Sequence, residues 1–331
     1  MTPNLRSRFA GQSPRLLTSS PRAVLQYGPA ELLRGIRMSE GRTVVAVSRV
    51  RGPNVCDGVS NIELCAAFGA DVIALGLYDP YDPYFPGLPN LEPDPEADAL
   101  LAKVQMDLGR GWRLAQVREL VGRPLAAAMY GTSASFPPEM EASFAKVPGS
   151  VLTARLLADQ GADIVQLMDW LAPTETVADL LADIKREIGS DAILSFARPN
   201  GWGLFGHEAD REFFTAAELR TLVAAGADIV EIPAVGTFPG LTIEKVGSWS
   251  ETIRSAGGLV NMWIASSQEG ADKNTIRTIT WDSKKAGADM MTISDVWLGE
   301  SAPNPDNILT LGVALRGRRH TYRRMAFSPL R

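Results

Sequence analysis

The tripeptide Gly-Ala-Asp stands directly before four short apolar runs of this chain, and its spacing constrains the fold more than any other feature. The four copies begin at Gly69, Gly161, Gly226 and Gly287, so 92, 65 and 61 residues separate successive glycines. A glycine at such a point is typical of a helix that ends in the left-handed conformation, and the apolar residues that follow predict a strand. The chain therefore repeats a unit in which a helix ends and a strand begins.

Four further apolar runs alternate with these, which gives eight predicted strands. Each run is rich in small and β-branched residues and is followed by a segment with helical spacing of its apolar residues. The predicted strands are residues 43–50, 71–79, 123–131, 163–170, 191–200, 228–236, 259–267 and 289–297. Eight strands alternating with helices predict an α/β protein with one domain, a (β/α)8 TIM barrel.

Three segments lie outside this alternation. Residues 1–40 are predicted to be an N-terminal extension whose helix, within residues 29–41, caps the barrel bottom, and the barrel itself spans residues 41–315. A Pro-rich insertion at 79–98 leaves the second strand, and we expect either a lid or a surface loop that contacts another subunit. Residues 316–331 form a basic tail, interpreted as a solvated helix end or subunit contact, with an anion site as the alternative.

Composition favours small molecules as partners. The 331 residues carry a net charge of −5, too weak a field to draw the chain to nucleic acid or a membrane surface. Two cysteines form neither a disulfide framework nor a zinc pattern, and no run reaches the roughly 20 apolar residues of a membrane span. With no apolar signal peptide at the start, we expect a cytoplasmic protein, without a nucleotide cofactor and with homo-oligomerisation left open.

Alternation along the strands predicts an unusual barrel interior. When the four strands after Gly-Ala-Asp are aligned on the aspartate, large apolar residues occupy the offsets that face the helices. The residues predicted to face inward are Ala74, Gln166, Glu231 and Thr292, together with Ser48, Ser195 and Asn261 from the other strands. Such layers normally contain bulky aliphatic residues, and a buried carboxylate is costly. A functional Glu231 is therefore the leading interpretation, and a polar structural network is the alternative.

Charged residues lie at the predicted strand ends, where TIM barrels place their active sites. Asp79, Asp169 and Asp295 end the second, fourth and eighth strands, and Arg49 and Arg198 end the first and fifth. Asp169 and Asp295 each lie six residues after the aspartate of Gly-Ala-Asp, at a position whose side chain is predicted to face outward. Either side chain therefore turns inward only where its strand ends. His207, after the fifth strand, is a further candidate for general acid or base.

Two loops are candidates for binding phosphate. Residues 266–275, after the seventh strand, offer hydroxyl groups, a glycine and a following helix start. Residues 234–242, after the sixth strand, are a second glycine-bearing loop ahead of a helix. Ordinary barrel turns with capping residues are the alternative in both places.

Three strings of the sequence resemble a bacterial family of barrel proteins named haloacid dehalogenase-like hydrolases. They are EIPAVGTFPGLT (231–242), SSQEGAD (266–272) and ALRGRRHTYRRMA (314–326), and the similarity extends over about residues 31–326. The resemblance implies the barrel fold and marks as site residues Glu231, Gly236, Thr237, Gly240, Gln268, Glu269 and Gly270. The Asp-x-Asp-x-Thr/Val nucleophile loop of haloacid dehalogenases does not occur in the sequence, so the resemblance implies no particular reaction.

The leading functional hypothesis is an enzyme, a lyase or isomerase, that removes a proton next to a carbonyl of a small anionic substrate such as a sugar phosphate or oxo acid. The candidate catalytic residues are Glu231, Asp169, Asp295, Arg198 and His207. The candidate substrate-binding residues are Arg49, Asp79, Gln166, Asn200, Gly236, Thr237, Ser266, Ser267, Gln268, Glu269, Gly270 and Ser294.

Two alternatives remain open at this point. One is a hydrolase in which Glu231, Asp169 and Asp295 hold Mg²⁺ or Mn²⁺, and the other is a non-catalytic barrel that binds a ligand or serves as a scaffold. A Schiff-base enzyme is disfavoured because none of the eight runs contains a lysine. A histidine-rich metal site is excluded because the chain has only His207 and His320.

Overall fold

Eight parallel strands, hydrogen-bonded in sequence order, close into a barrel, so the prediction of a (β/α)8 fold is confirmed. The computed structural model describes residues 15–92, 95, 107–131, 145–170, 172–199, 213–294 and 301–331. The strands are β1 Thr43–Arg49, β2 Val72–Gly76, β3 Leu125–Tyr130, β4 Ile164–Met168, β5 Ile193–Ala197, β6 Ile229–Pro233, β7 Leu259–Ile264 and β8 Met290–Ile293.

Helices follow the strands around the outside of the barrel. Those in the described part of the chain are α1 Pro21–Val24, α2 Pro29–Arg37, α3 Asn61–Ala67, α4 Leu114–Val121, α5 Val151–Asp159, α6 Thr174–Ile188, α7 Ala216–Ala224, α8 Ile243–Ser255, α9 Lys273–Lys285 and α10 Pro305–Ala326. Ser60 starts α3 with a capping box that includes Glu63, because its hydroxyl accepts the N–H of Glu63. Short 3₁₀ helices cover Leu16–Thr18 and Gln268–Gly270.

The glycine of each Gly-Ala-Asp copy before a strand has the positive φ that the pattern predicts. The φ angles are 98° at Gly69, 103° at Gly161, 112° at Gly226 and 99° at Gly287. A residue with a side chain rarely adopts this conformation, so glycine allows the chain to leave the helix and enter the strand directly. A fifth copy at residues 270–272 has another function, since Asp272 caps the start of α9.

The four aspartates share a structural role that the sequence pattern did not reveal. Each carboxylate accepts a hydrogen bond from a backbone N–H at the start of the preceding strand. Asp71 accepts from Val44, Asp163 from Leu125, Asp228 from Leu194 and Asp289 from Val260, all at 2.9 to 3.0 Å. The repeated aspartate therefore fastens every even strand to its odd neighbour at the N-terminal end of the barrel.

A basic side chain from the helix before the odd strand forms an ion pair with three of these aspartates. Arg118 of α4 pairs with Asp163 at 2.8 Å, Lys185 of α6 with Asp228 at 2.6 Å, and Arg254 of α8 with Asp289 at 2.7 Å. A buried carboxylate is tolerated only with such partners. The arrangement repeats with every pair of strands.

Helix α10 provides the basic partners for the first aspartate, and this corrects the interpretation of the basic tail. Arg316 and Arg324 both pair with Asp71, the latter at 2.7 Å, and all three side chains are 1% exposed. The helix changes direction between them at Gly317, whose φ is 77°. These two arginines are thus internal rather than part of a solvated helix end, because they take the place that α4, α6 and α8 fill elsewhere.

The N-terminal extension lies against the bottom of the barrel interior. Leu32 and Ile36 of α2 belong to the same buried cluster as inward residues of the strands, such as Ile164 and Ile229. Arg324 of α10 also contacts the extension, since its guanidinium donates to the carbonyl of Leu16. Helix α2 therefore covers the end of the barrel opposite the mouth.

The described part of the Pro-rich insertion packs onto the barrel. Phe85 and Leu88 are buried in the main hydrophobic core, and the Phe85 ring lies 5.4 Å from that of Tyr78. Arg51 stacks over Tyr84 at 5.5 Å. Residues 79–92 are thus anchored on the barrel, and the choice between a lid and a subunit contact stays a prediction.

Strand register confirms the predicted inward layer. Gln166 pairs with Ser195, and Ser195 pairs with Ile229, which lies two residues before Glu231 on β6. A stagger of two residues for every two strands is expected of the tilted strands in this barrel. In the same way, Glu231 pairs with Asn261, and Asn261 pairs with Met290, which lies two residues before Thr292. Gln166, Glu231 and Thr292 therefore lie at one height.

The inward orientation predicted for Ser48 is wrong. Val45 and Val47 belong to the interior cluster, whereas Ser48 pairs with Leu75, which packs in the outer core. The odd strands lack the aspartate that sets the alignment, and an error of one residue turns a side chain to the opposite face.

Within the described residues, no helix is both long and apolar enough to cross a membrane.

Candidate active site in the barrel mouth

Glu231 lies in the barrel interior with hydrogen-bond donors on both carboxylate oxygens. Its side chain is 4% exposed. Oε1 accepts from Gln166 Nε2 at 2.8 Å and from the Ser195 hydroxyl. Oε2 accepts from Asn261 Nδ2 at 3.0 Å and from the indole N–H of Trp263. Four donors use about all the acceptor positions of a carboxylate, which suits its ionised form.

The surroundings of Glu231 shift its proton affinity in two directions. Burial raises the pKa of the carboxyl group above its ordinary value of 4.5, and the hydrogen bonds from Ser195, Gln166, Trp263 and Asn261 oppose part of this rise. The net direction is upward. A carboxyl group whose pKa moves from 4.5 toward neutrality can both accept and return a proton, as a general acid or base must.

One of the four donors can accommodate either protonation state by rotation alone. A hydroxyl group both donates and accepts, so Ser195 can accept a hydrogen bond from a protonated Glu231. Asn261 is held as a donor, because its carbonyl oxygen accepts the hydroxyl of Thr292 at 2.9 Å. The predicted residues Ser195, Asn261 and Thr292 thus all take part in one network around Glu231.

A pocket opens above Glu231 toward the C-terminal ends of the strands. Its empty volume is about 340 Å³, part of it open to solvent. The next inward residues along β4 to β7 line it, namely Met168, Ala197, Pro233 and Trp263, and the loops add Phe238 and Ala265. Trp263 was missed from the sequence, although alternation from Asn261 two residues earlier also points it inward.

The other half of the barrel mouth is polar. Arg49 ends β1 in an inward position, paired with Gly76 at the end of β2. A Cβ placed on Gly76 would lie 3.3 Å from Cγ of Arg49, so the arginine chain passes close over this glycine. Ser294 follows β8 and is buried. The structure therefore places Arg49 and Ser294 on the side of the mouth formed by β8, β1 and β2.

Arg198 lines the pocket, but protein partners hold its guanidinium group. It donates to the Phe213 carbonyl at 2.9 Å, to Glu218 at 3.2 Å and to the Thr174 hydroxyl at 3.3 Å, and it stacks over Phe214. Burial acts to raise the pKa of Glu218, yet hydrogen bonds from Thr215 and Thr174 and the charge of Arg198 lower it to about 2. Glu218 is therefore ionised and offsets the arginine charge.

Two candidate aspartates stabilise turns of the chain. Asp169 accepts the N–H of Ala172 at 2.8 Å, and it is not among the hydrogen-bond partners of Glu231. Asp79 pairs with Arg51 at 2.7 Å and accepts the N–H of Tyr81 at 3.0 Å. Asp295, His207 and Asn200 lie outside the described residues, so their roles stay predictions.

The donor set around Glu231 does not fit a metal ion. Its neighbours Gln166, Asn261 and Trp263 turn N–H groups toward the carboxylate, and N–H hydrogens repel a cation where a Mg²⁺ or Mn²⁺ site needs oxygen ligands. In the part of the chain that the structure describes, no group of three His, Cys, Asp or Glu side chains is placed to hold a metal.

Protein groups already cap the two helix starts considered for phosphate. Asp272 accepts the N–H groups of Asn274 at 2.6 Å and Thr275 at 3.0 Å, so a carboxylate occupies the start of α9. Thr242 accepts the N–H of Lys245 at the start of α8. An anion would meet a like charge at the first helix and a competing hydroxyl at the second.

The remaining candidates in these loops bind one another. Ser266 donates to the carbonyl of Thr237 at 2.8 Å and lies 2.5 Å from Gln268. Ser267 and the glycines at 236 and 240 have positive φ, which the turns require. Asn307 of α10 donates to the carbonyls of Glu269 and Ala271, on either side of Gly270. These contacts tie the loops after β6 and β7 together beside the pocket.

The fold and the site define a (β/α)8-barrel protein with a carboxylate in its polar interior layer. Residues 17–331 match the family described as "Domain of unknown function (DUF7916)", and the chain belongs to this family. The resemblance to haloacid dehalogenase-like hydrolases is therefore wrong. The first of the three strings begins in β6 with Glu231 and continues into the following loop, the second lies in the loop after β7, and the third lies in α10. No curated protein matches the chain.

Several solved barrel structures are similar to this chain at low identity. Phosphoenolpyruvate phosphomutase from Streptomyces platensis subsp. rosaceus is 15% identical, with 81% of each chain covered and a TM-score of 0.45. Thiamine phosphate pyrophosphorylase from Pyrococcus furiosus is 15% identical, covering 87% of this chain and 98% of that one, with a TM-score of 0.42. The carboxyl transferase domain of Rhizobium etli pyruvate carboxylase is 13% identical, covering 94% and 53%, with a TM-score of 0.48. Similarity at this level assigns no reaction to the present chain.

Proposed function

We propose that this chain is an enzyme of the lyase or isomerase type, in which Glu231 transfers a proton next to a carbonyl of a small oxygenated acid. One observation carries the proposal: a buried carboxyl group with a raised pKa lines a pocket at the C-terminal end of a TIM barrel. The outcome of proton removal would be isomerisation, epimerisation or cleavage of a carbon-carbon bond.

The network around Glu231 gives each neighbour a task in this chemistry. Thr292 fixes Asn261, and Asn261, Gln166 and Trp263 hold the carboxylate in one orientation and stabilise its charge before the reaction. Rotation of the Ser195 hydroxyl away from Oε1 frees one acceptor position of the carboxylate, and the proton that leaves the substrate carbon binds there. The carbanion that forms on the substrate is an enolate, so its negative charge lies mainly on the carbonyl oxygen.

The metal-dependent hydrolase is not favoured, because the N–H groups around Glu231 do not suit a cation. A non-catalytic barrel is the remaining competitor, since a saturated carboxylate can also be purely structural. The two differ in whether a bound carbonyl compound exchanges its neighbouring protons with solvent, and the following test uses that difference.

The test measures deuterium exchange into carbonyl compounds that raise the melting temperature of the protein. In D₂O, NMR should show wild-type protein exchanging the proton next to the carbonyl, and Glu231→Gln should slow this exchange by about 10²- to 10⁴-fold. Glu244→Gln makes the same chemical change at a fully exposed residue and should have no effect. Equal exchange by wild type and a folded Glu231→Gln protein would show that Glu231 does not transfer the proton.

A further inference from the structure

Trp263 differs from the other three donors to Glu231, because a ligand in the pocket can reach it. Trp263 lines the pocket together with Glu231, whereas Gln166, Ser195 and Asn261 are not among the lining residues. These three side chains are buried in the layer below, and Trp263 is half-buried. Of the four donors, the indole N–H of Trp263 therefore joins the network around Glu231 to the pocket.

The neighbouring strands fix the backbone of Trp263. It pairs with Pro233 of β6 and with Thr292 of β8, and its carbonyl accepts the N–H of Ala234 at 2.9 Å. The indole ring therefore adjusts by rotation about its own side-chain bonds. A small rotation redirects the N–H, and one N–H can also be shared between two nearby acceptors.

Few side chains of the pocket can donate a hydrogen bond to a ligand oxygen. Among the described residues that line it, those with side-chain N–H groups are Arg198 and Trp263. Protein partners already hold the guanidinium group of Arg198. The other lining side chains are apolar, apart from Glu231 itself. The indole N–H is thus the side-chain donor best placed for an oxygen of a ligand above Glu231.

We propose that Trp263 shares its indole N–H between Glu231 and the carbonyl oxygen of the bound substrate. Trp263 is then a substrate-binding residue as well as a positioning residue for Glu231. The inference rests on the proposed function for the choice of a carbonyl compound, and it adds the group that polarises the carbonyl. It concerns a hydrogen bond to the ligand, so it is testable without any proton transfer.

This sharing couples the arrival of substrate to the basicity of Glu231. Burial raises the pKa of the carboxyl group, and the hydrogen bond from Trp263 is one of four that oppose this rise. When the N–H turns toward the substrate, that opposition weakens and the carboxylate binds a proton more tightly. The same N–H then donates to the oxygen on which the negative charge of the enolate develops.

The test is NMR of pyruvate that carries carbon-13 at its carbonyl carbon. A hydrogen bond to the carbonyl oxygen withdraws electron density from this carbon, so binding to wild type should move its resonance to higher chemical shift. Trp263→Phe keeps an aromatic wall without the N–H, and the shift of bound pyruvate should be lost. Trp281→Phe is the matched control, because it removes an exposed indole N–H that donates to the carbonyl of Ala314 at 3.3 Å. It should behave as wild type.

Saturation transfer to the pyruvate methyl group shows whether each variant binds pyruvate. Should Trp263→Phe fail to fold or to bind, a measurement on wild type replaces it. The indole N–H resonance of Trp263 should move with pH as Glu231 takes up a proton, and Glu231→Gln should abolish this movement. That resonance should show a nuclear Overhauser contact with bound pyruvate, and absence of the contact would overturn the proposal.

The pH dependence of proton exchange separates this role from a purely structural one. Exchange needs an ionised Glu231, so it should rise as the pH passes the pKa of this group. Trp263→Phe removes one donor, so the midpoint should move to higher pH and the maximal rate should fall about 10²- to 10³-fold. The four donors are uncharged, and the other charged side chain of the described lining, Arg198, is paired with the ionised Glu218. An unchanged midpoint would contradict the coupling.

The same measurements on Glu231→Gln keep the two proposals apart. If this variant retains the carbonyl shift but loses proton exchange, and Trp263→Phe loses the shift, both proposals hold. If Glu231→Gln retains both, the role of Trp263 holds and the catalytic role of Glu231 is wrong. If wild type causes no shift, or Trp263→Phe binds pyruvate with the wild-type shift, the proposal for Trp263 is wrong whatever the exchange measurement gives.

Discussion

Glu231 shows how an interior position can be a functional candidate before any ligand is known. Its burial is costly, and four donors from β4, β5 and β7 offset that cost. The remaining upward shift of its pKa means that the folded protein binds this proton more tightly than the unfolded chain does. The stabilisation from that proton is complete below about pH 4.5 and is lost as the pH rises through the raised pKa.

The Glu231→Gln variant should therefore change the pH dependence of stability. As the pH rises above 4.5, the free energy of unfolding of wild type should fall relative to that of Glu231→Gln, with a limiting slope of about 1.4 kcal/mol per pH unit for one proton. Urea unfolding at a series of pH values measures this difference. Any constant offset from altered hydrogen bonds does not affect the slope.

Glu244→Gln provides the matched control for this slope. Hydrogen bonds from the Glu244 N–H and from Thr242 lower the pKa of this exposed carboxyl group, so its stability effect appears only as the pH falls below its ordinary value. Its difference from wild type should be flat above pH 4.5. Parallel curves for wild type and Glu231→Gln would contradict the raised pKa.

Sequence alternation predicted the central residues of the site and missed those whose contacts come from elsewhere. Gln166, Glu231 and Thr292 share an offset after the same tripeptide, so their common layer could be derived. The role of Arg198 could not be derived, because its partners Phe213 and Glu218 lie 15 and 20 residues later in the chain. The same alternation also predicts that Trp263 faces inward, two residues after Asn261. A tryptophan in an apolar run, however, gives no sign that its indole N–H donates to a carboxylate.

At the scale of elements, the repeated aspartates explain how strands and helices hold together in pairs. The glycine could be interpreted from the sequence as a helix end, because its φ is a local property. The basic partner of Asp71 could not be predicted from the sequence, since Arg316 lies 245 residues from Asp71 in the chain. Pairing across such a distance depends on closure of the barrel.

Replacement of these aspartates should therefore cost stability in the order of their burial. Asp71→Ala leaves Arg316 and Arg324 buried without their counter-charge, and we expect a loss of about 3–5 kcal/mol in the free energy of unfolding. Asp228→Ala breaks a more exposed pair with Lys185 and should cost about 1–2 kcal/mol. Urea unfolding compares the two, and equal losses would show that burial does not set the cost.

At the scale of the whole molecule, the segment before β1 is part of the barrel core. Ile36 is fully buried and meets the inward side chains of the strands, whereas Arg34 on the same helix is exposed. The sequence predicted a helix within residues 29–41, and α2 covers Pro29–Arg37 with Leu32 and Ile36 on its buried face. Its attachment through Arg324 depends on α10, at the other end of the chain.

Ile36→Ala should consequently destabilise the entire barrel. Loss of this buried side chain should reduce the free energy of unfolding by about 2–5 kcal/mol and lower the melting temperature. Arg34→Ala, two residues away on the solvent side of α2, should change either quantity little. If both variants melt at the wild-type temperature, the extension does not contribute to the stability of the barrel.

The position of Glu231 on one wall of the barrel has a stereochemical consequence. A planar carbonyl compound in the pocket directs only one of its two prochiral faces toward this carboxyl group, which approaches from the β6 side. Proton transfer by this group alone adds and removes hydrogen on that single face, so a stereocentre formed there would have one configuration. Isomerisation or cleavage would fit such a site, whereas epimerisation would need a second proton donor on the opposite face.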